Sequence, residues 1–108
     1  MGRGDFLGEF EQIVMLAVAR LKDDAYGMRI RGEIAARTGR NPSLGAVYAT
    51  LDRLTDKGVV HLRREETTSR ARWFFTLTSE GVAALARARD MQNRMWAGVQ
   101  LPQTRGRS

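Results

Sequence analysis

The stretch Ser43–Val60, SLGAVYATLDRLTDKGVV, decides the fold. At about 100° per residue, Leu44, Val47, Leu51 and Leu54 fall within one quadrant of a helix that runs to about Lys57. Ser43 is its N-cap, because a serine hydroxyl accepts from the free amides of a first turn, and Gly58 is its stop. The other side carries Gly45, Ala49, Asp52, Arg53 and Asp56. A helix committed to a core on one side, and nearly bare at the start of the other, lets its backbone come close to something large.

Upstream, Phe10, Ile13, Val14, Ala17 and Leu21 recur at helical spacing and predict a first helix over about Gly8–Leu21. The polar break Lys22–Asp24 ends it, and Asp24 is expected to cap a second helix over about Ala25–Thr38. On that helix Tyr26, Ile30 and Ile34 share a face, and Gly39 closes it. Asn41 precedes Pro42, which favours an extended turn before Ser43.

Downstream the texture changes. Val59–Arg64 and Arg72–Leu77 are rich in β-branched and aromatic residues, and a polar, turn-like segment separates them, so an antiparallel hairpin is expected. Trp73, Phe75 and Leu77 share one of its faces, while Arg72, Phe74 and Thr76 share the other. Trp73 and Phe75 are expected in the core beneath it. A fourth helix, about Ser79–Gly98, is capped by Thr78 or Ser79. Its apolar positions form two stripes, one of Ala84, Ala88, Met91, Met95 and Val99, the other of Val82, Leu85 and Trp96. The expectation is that the Val82 and Leu85 side packs on its own domain and leaves the first stripe for a second copy.

Three helices followed by a two-stranded ribbon make a winged helix-turn-helix, mainly α with a small β-hairpin. Residues 1–77 are read as the DNA-binding domain, 78–100 as a C-terminal dimerisation helix, and 101–108 as a disordered basic tail.

Composition narrows the function. The 108 residues suffice for one domain, and a net charge of +6 with a pI near 11.0 favours a polyanionic partner. Arginine outnumbers lysine heavily, and its planar fork suits phosphate and base edges. Cysteine is absent, and the longest apolar run, Ile13–Ala19, is far short of the roughly 20 residues that span a bilayer. No membrane association is expected, and a reducing cytoplasm is the default location. His61 is the only histidine, no carboxylate cluster has metal-ligand spacing, and no glycine-rich phosphate loop joins a strand to a helix. No enzyme activity, cofactor or metal is therefore expected.

In a helix-turn-helix the second helix enters the major groove, about 12 Å wide, with its N-terminal residues against the base edges. That makes Ser43, Gly45, Ala46, Tyr48, Ala49 and Arg53 candidate DNA-binding residues. On the wing, Arg70 and Arg72 are favoured over Arg63 and Arg64, which Glu65 and Glu66 can pair locally. Ala84, Ala88, Met91, Met95, Trp96 and Val99 are the candidate dimer interface. A symmetric dimer would read half-sites roughly 34 Å apart, hence a palindromic operator in double-stranded DNA. Two other readings stay open: a winged-helix module whose basic face meets an acidic protein, and a regulator whose DNA binding is relieved by a planar aromatic ligand beside Trp96.

Three segments, DAYGMRIRGEI (Asp24–Ile34), PSLGAVYATLDRLTDKGVV (Pro42–Val60) and RARWFFTLTSEGVAAL (Arg70–Leu85), occur in this order. Through them the chain resembles the PadR family of bacterial winged-helix transcriptional regulators over about residues 6–99. The resemblance implies a homodimer joined through the C-terminal helix, an operator with dyad symmetry, and usually repression. It implies groove roles for Ser43, Gly45 and Tyr48 and wing roles for Arg70 and Arg72. With one C-terminal helix the chain is similar to the family's short subgroup, some of whose members bind flat aromatic compounds at the dimer centre. Many relatives have proline after the tyrosine, where this chain has Ala49, and a glycine-rich wing tip, where it has TTSR.

Overall fold

The computed structural model describes residues 6–66 and 71–103, apart from the side chain of Ala71. Helix α1 spans Glu9–Leu21, a short 3-10 turn covers Lys22–Asp24, and helices α2 and α3 span Gly27–Thr38 and Leu44–Asp56. Strands β1 (Val60–Glu66) and β2 (Ala71–Leu77) pair antiparallel, with Val60 opposite Leu77 and Arg64 opposite Trp73. Helix α4, Ser79–Trp96, follows.

The three N-terminal helices meet where their apolar stripes meet. Val14 and Met15 of α1, Ile30 of α2 and Val47, Leu51 and Leu54 of α3 have no exposed surface, and Phe75 of β2 closes the cluster. Burying a side chain of this kind fully stabilises by about 1.5–3 kcal/mol, so the inner side of α3 holds it against the core. Its start is fixed as the spacing predicts, since the Ser43 hydroxyl accepts from the Ala46 amide at 3.0 Å.

The second helix starts later than its sequence suggests, and Asp24 does not cap it. Ala25 is non-helical and Tyr26 extended instead, because their backbone is used by the wing: the Phe75 amide donates to the Ala25 carbonyl at 2.8 Å, and Tyr26 bridges Phe74. Asp24 lies in the 3-10 turn and pairs with Arg29 at 2.9 Å. At the end of α1, Lys22 takes φ +54°, the one positive φ outside glycine among the described residues.

Helix α4 is seated by its first turn. The Thr78 hydroxyl accepts from the Gly81 amide at 3.0 Å and donates to the Gly58 carbonyl at 2.7 Å. A Cβ on Gly81 would lie 2.0 Å from the carbonyl oxygen of Val59, so only glycine allows this approach.

That seat corrects the expected division of α4. Ala84 turns inward and is 4% exposed, with Leu85 packed beside it, whereas Val82 faces out and is 57% exposed. Ala84 therefore belongs to its own domain and Val82 to the outer side. Trp73 is also corrected: it is 45% exposed, because the core ends at Phe75 and the ribbon projects beyond it.

Candidate nucleic-acid interface

The outer side of α3 is open as the sequence requires. Gly45, Ala46, Ala49, Asp52 and Arg53 are exposed, while Val47, Thr50, Leu51 and Leu54 are buried. A cylinder of backbone clothed only in hydrogen and methyl groups is thus held outward at the start of the helix. Ser43 is exposed too, although its hydroxyl is engaged in capping.

Tyr48 is only partly exposed, and its hydroxyl end rests on the first turn of α2. A Cβ on Gly27 would fall 2.3 Å from the Tyr48 hydroxyl oxygen, so the ring can rest there only because the residue beneath it is glycine. The turn between them is held by Arg31, whose Nε donates to the Pro42 carbonyl at 2.7 Å and whose Nη2 donates to Asn41 Oδ1 at 3.0 Å. Neither Gly27 nor Arg31 stands out in the sequence as a site residue. Their one signal is local: a glycine opening a helix without a capping duty, and an arginine one turn further on.

The one cation of α3, Arg53, is tied inward on one edge. Its Nη2 donates to Thr50 Oγ1 at 3.1 Å, and its Nε lies 3.7 Å from Glu11 Oε2. Glu11, on α1, also accepts from Lys57 Nζ at 2.8 and 3.0 Å and from the Gly8 amide at 2.9 Å. Burial pushes the Glu11 carboxyl up, but these hydrogen bonds and the charges of Lys57 and Arg53 outweigh it and hold it below its ordinary value of 4.5.

On the wing the arginines lie against rings and acids. Arg72 sits 4.2 Å above the Tyr26 ring, and Arg63 sits 4.9 Å above Phe74, whose own ring meets Tyr26 edge-on at 5.6 Å. Arg63 pairs with Glu65, and Arg64 pairs with Glu66 at 2.6 Å while lying over Trp73. The local pairing expected of Arg63 and Arg64 is formed. Stacking on Tyr26 holds Arg72 close to the start of α2. Arg70 lies outside the described residues, as do 104–108 of the tail.

The far half of α4 has a different surface. Met91, Met95, Trp96 and Val99 are all exposed, Met95 by 70% and Trp96 by 54%, whereas Ala88 is partly covered. A separate apolar groove of about 530 Å³ lies between α1 and α4, lined by Leu16, Ala19, Leu77, Val82, Leu85 and Ala86 among others. Large apolar groups exposed together on the far half of one helix mark an interaction surface.

His61 is exposed on β1, and among the described residues no cluster of histidine, cysteine or carboxylate could hold a metal. Among them no helix is long and apolar enough to cross a membrane.

Several solved structures share this fold. A PadR-like transcription factor from Bacteroides fragilis is 21% identical, with a TM-score of 0.71 over 80% of this chain and 82% of that one. A PadR family transcriptional regulator from Eggerthella lenta is 23% identical, with a TM-score of 0.67 over 83% and 81%. F93 from STIV, a winged-helix DNA-binding protein, is 21% identical, with a TM-score of 0.65 over 88% and 99%. No curated protein matches the chain. The family model of the PadR-like transcriptional regulators matches residues 15–87, more than half of the sequence, and the chain belongs to that family.

Proposed function

We propose that this DNA-binding transcriptional regulator acts as a homodimeric repressor, with α3 of each copy in the major groove of a palindromic operator and the wings on the flanking phosphates. The observation that carries the proposal is the outer side of α3, where Gly45, Ala46 and Ala49 are exposed on a helix immobilised from behind by fully buried Val47, Leu51 and Leu54. Ser43 and Tyr48 flank that strip, Arg53 closes it, and Arg70 and Arg72 supply charge from the wing. The net charge of +6 supports attraction to a polyanion.

Dimerisation through α4 is supported by the exposed Met91, Met95, Trp96 and Val99, with Ala88 between them and the domain. Ala84 is left out of this interface because its own core covers it. A two-fold pairing along this side would give the two α3 helices a fixed separation, and so a fixed half-site spacing.

Selection of bound duplexes from a random pool tests the proposal. A recovered palindrome with half-sites about one helical turn apart is the expected outcome. Recovery of no sequence, together with retention on an acidic protein partner, would favour the interaction-module reading instead.

A second reading concerns regulation. The exposed Trp96 beside Met95 supports a planar aromatic ligand at the dimer centre, binding of which would loosen the grip on DNA. Titration of Trp96 fluorescence with planar aromatic compounds checks it. An unchanged spectrum across a broad set removes this reading.

A further inference from the structure

We infer that Glu11 is a positioning residue for DNA binding, because its carboxylate joins α1 to the last turn of α3 and orients Arg53. The inference rests on α3 being the groove helix. A carboxylate behind a DNA-facing arginine lowers the local positive charge, so its presence there calls for a reason.

The geometry supplies one. Glu11 is 8% exposed and stands 46 residues from Lys57, yet both of its oxygens accept from the Lys57 ammonium, at 2.8 and 3.0 Å. Lys57 donates as well to the Phe6 carbonyl at 3.1 Å, which draws in the segment before α1. The same carboxylate faces the Nε of Arg53, and Thr50, itself buried, accepts from Nη2. Glu11 and Thr50 thus take the Nε–Nη2 edge of the guanidinium. The Arg53 side chain is still 58% exposed.

An arginine that grips a phosphate gives up much of its rotamer freedom, and one held beforehand has less to lose. Planar guanidinium geometry makes such holding effective, since fixing one edge aims the other. Glu11 therefore acts through Arg53, and it also sets the height of the α3 C-terminal turn over α1.

A double-mutant cycle tests this. Kd for one duplex is measured at fixed salt for the wild type, Glu11→Gln, Arg53→Ala and the double variant, with circular dichroism to establish folding. Glu11→Gln should weaken binding about fivefold in the wild-type background and have almost no effect once Arg53 is alanine. Effects that simply multiply would overturn the inference, as would tighter binding by Glu11→Gln, which would make the carboxylate a brake. If Glu11→Gln fails to fold, Thr50→Val removes the other restraint on the same guanidinium. It should then show the same coupling to Arg53→Ala, and a multiplicative result would again overturn the inference. A wild type that binds no duplex at all would instead defeat the functional reading on which the inference rests.

Discussion

Helix α3 exposes glycine and alanine, and helix α4 exposes methionine, valine and tryptophan. Both are amphipathic, and both have an inner side closed by the same core. The surfaces they leave exposed differ in what can approach. Small groups allow a hydrated, charged rod to come within reach of the helix backbone, and they offer little apolar area of their own. Large apolar groups in water favour removal from it, at about 25 cal/mol for each Å² covered. A side suited to a polyanion and a side suited to another apolar surface thus lie on one small domain, and each can be disabled without the other.

The seat of α4 gives the largest expected effect. Gly81→Ala puts a methyl group 2.0 Å from a backbone oxygen, so the helix must lift, and stability should fall by about 3 kcal/mol in urea unfolding. An unchanged midpoint would mean that α4 is not held where its first turn places it. Next comes the proposed groove side of α3. Ala49→Glu adds bulk and negative charge facing phosphate, and affinity for duplex should drop about a hundredfold, or about 2.7 kcal/mol, with an unaltered mass by light scattering. The comparison would break if this variant changed the mass as well.

Met95→Asp should do the reverse. A charge in the proposed seam should weaken self-association about thirtyfold by sedimentation, and duplex affinity should follow only because half-sites are then bound singly. The smallest effect belongs to the Glu11 contact, which ties the end of α3 to α1. Glu11→Gln should lower stability by about 1.5 kcal/mol at neutral pH, a typical magnitude for hydrogen bonds to a charged group. The folded carboxyl titrates below its ordinary value, so its contribution is present above about pH 4.5 and is lost as pH falls through the folded value. The gap between variant and wild type should therefore close on acidification, and a gap constant down to pH 3 would show that the charge of Glu11 contributes nothing.

Much of this was legible in the sequence because it is local. The apolar quadrant of α3, the Ser43 cap, the antiparallel hairpin and the cap at Thr78 depend on neighbours within a turn or across a short loop. What was not legible depends on distant chain. Asp24 has the chemistry of a cap, yet the wing claims the two residues after it. Trp73 alternates with Phe75 in the expected way, but alternation cannot say how far the core extends beneath a ribbon. The inward turn of Ala84 follows from Gly81 meeting Val59, a contact between elements that no periodicity encodes. The Glu11–Lys57 pair is of the same kind, joining charges 46 residues apart.

The amide proton of Phe75, given to the carbonyl of Ala25, has a consequence for kinetics. It makes the entrance of α2 an extra rung of the ribbon, so the ribbon cannot swing without fraying that entrance. A single slowly exchanging deuteron at Phe75 would then report on both at once, and operator contact by either one should slow it.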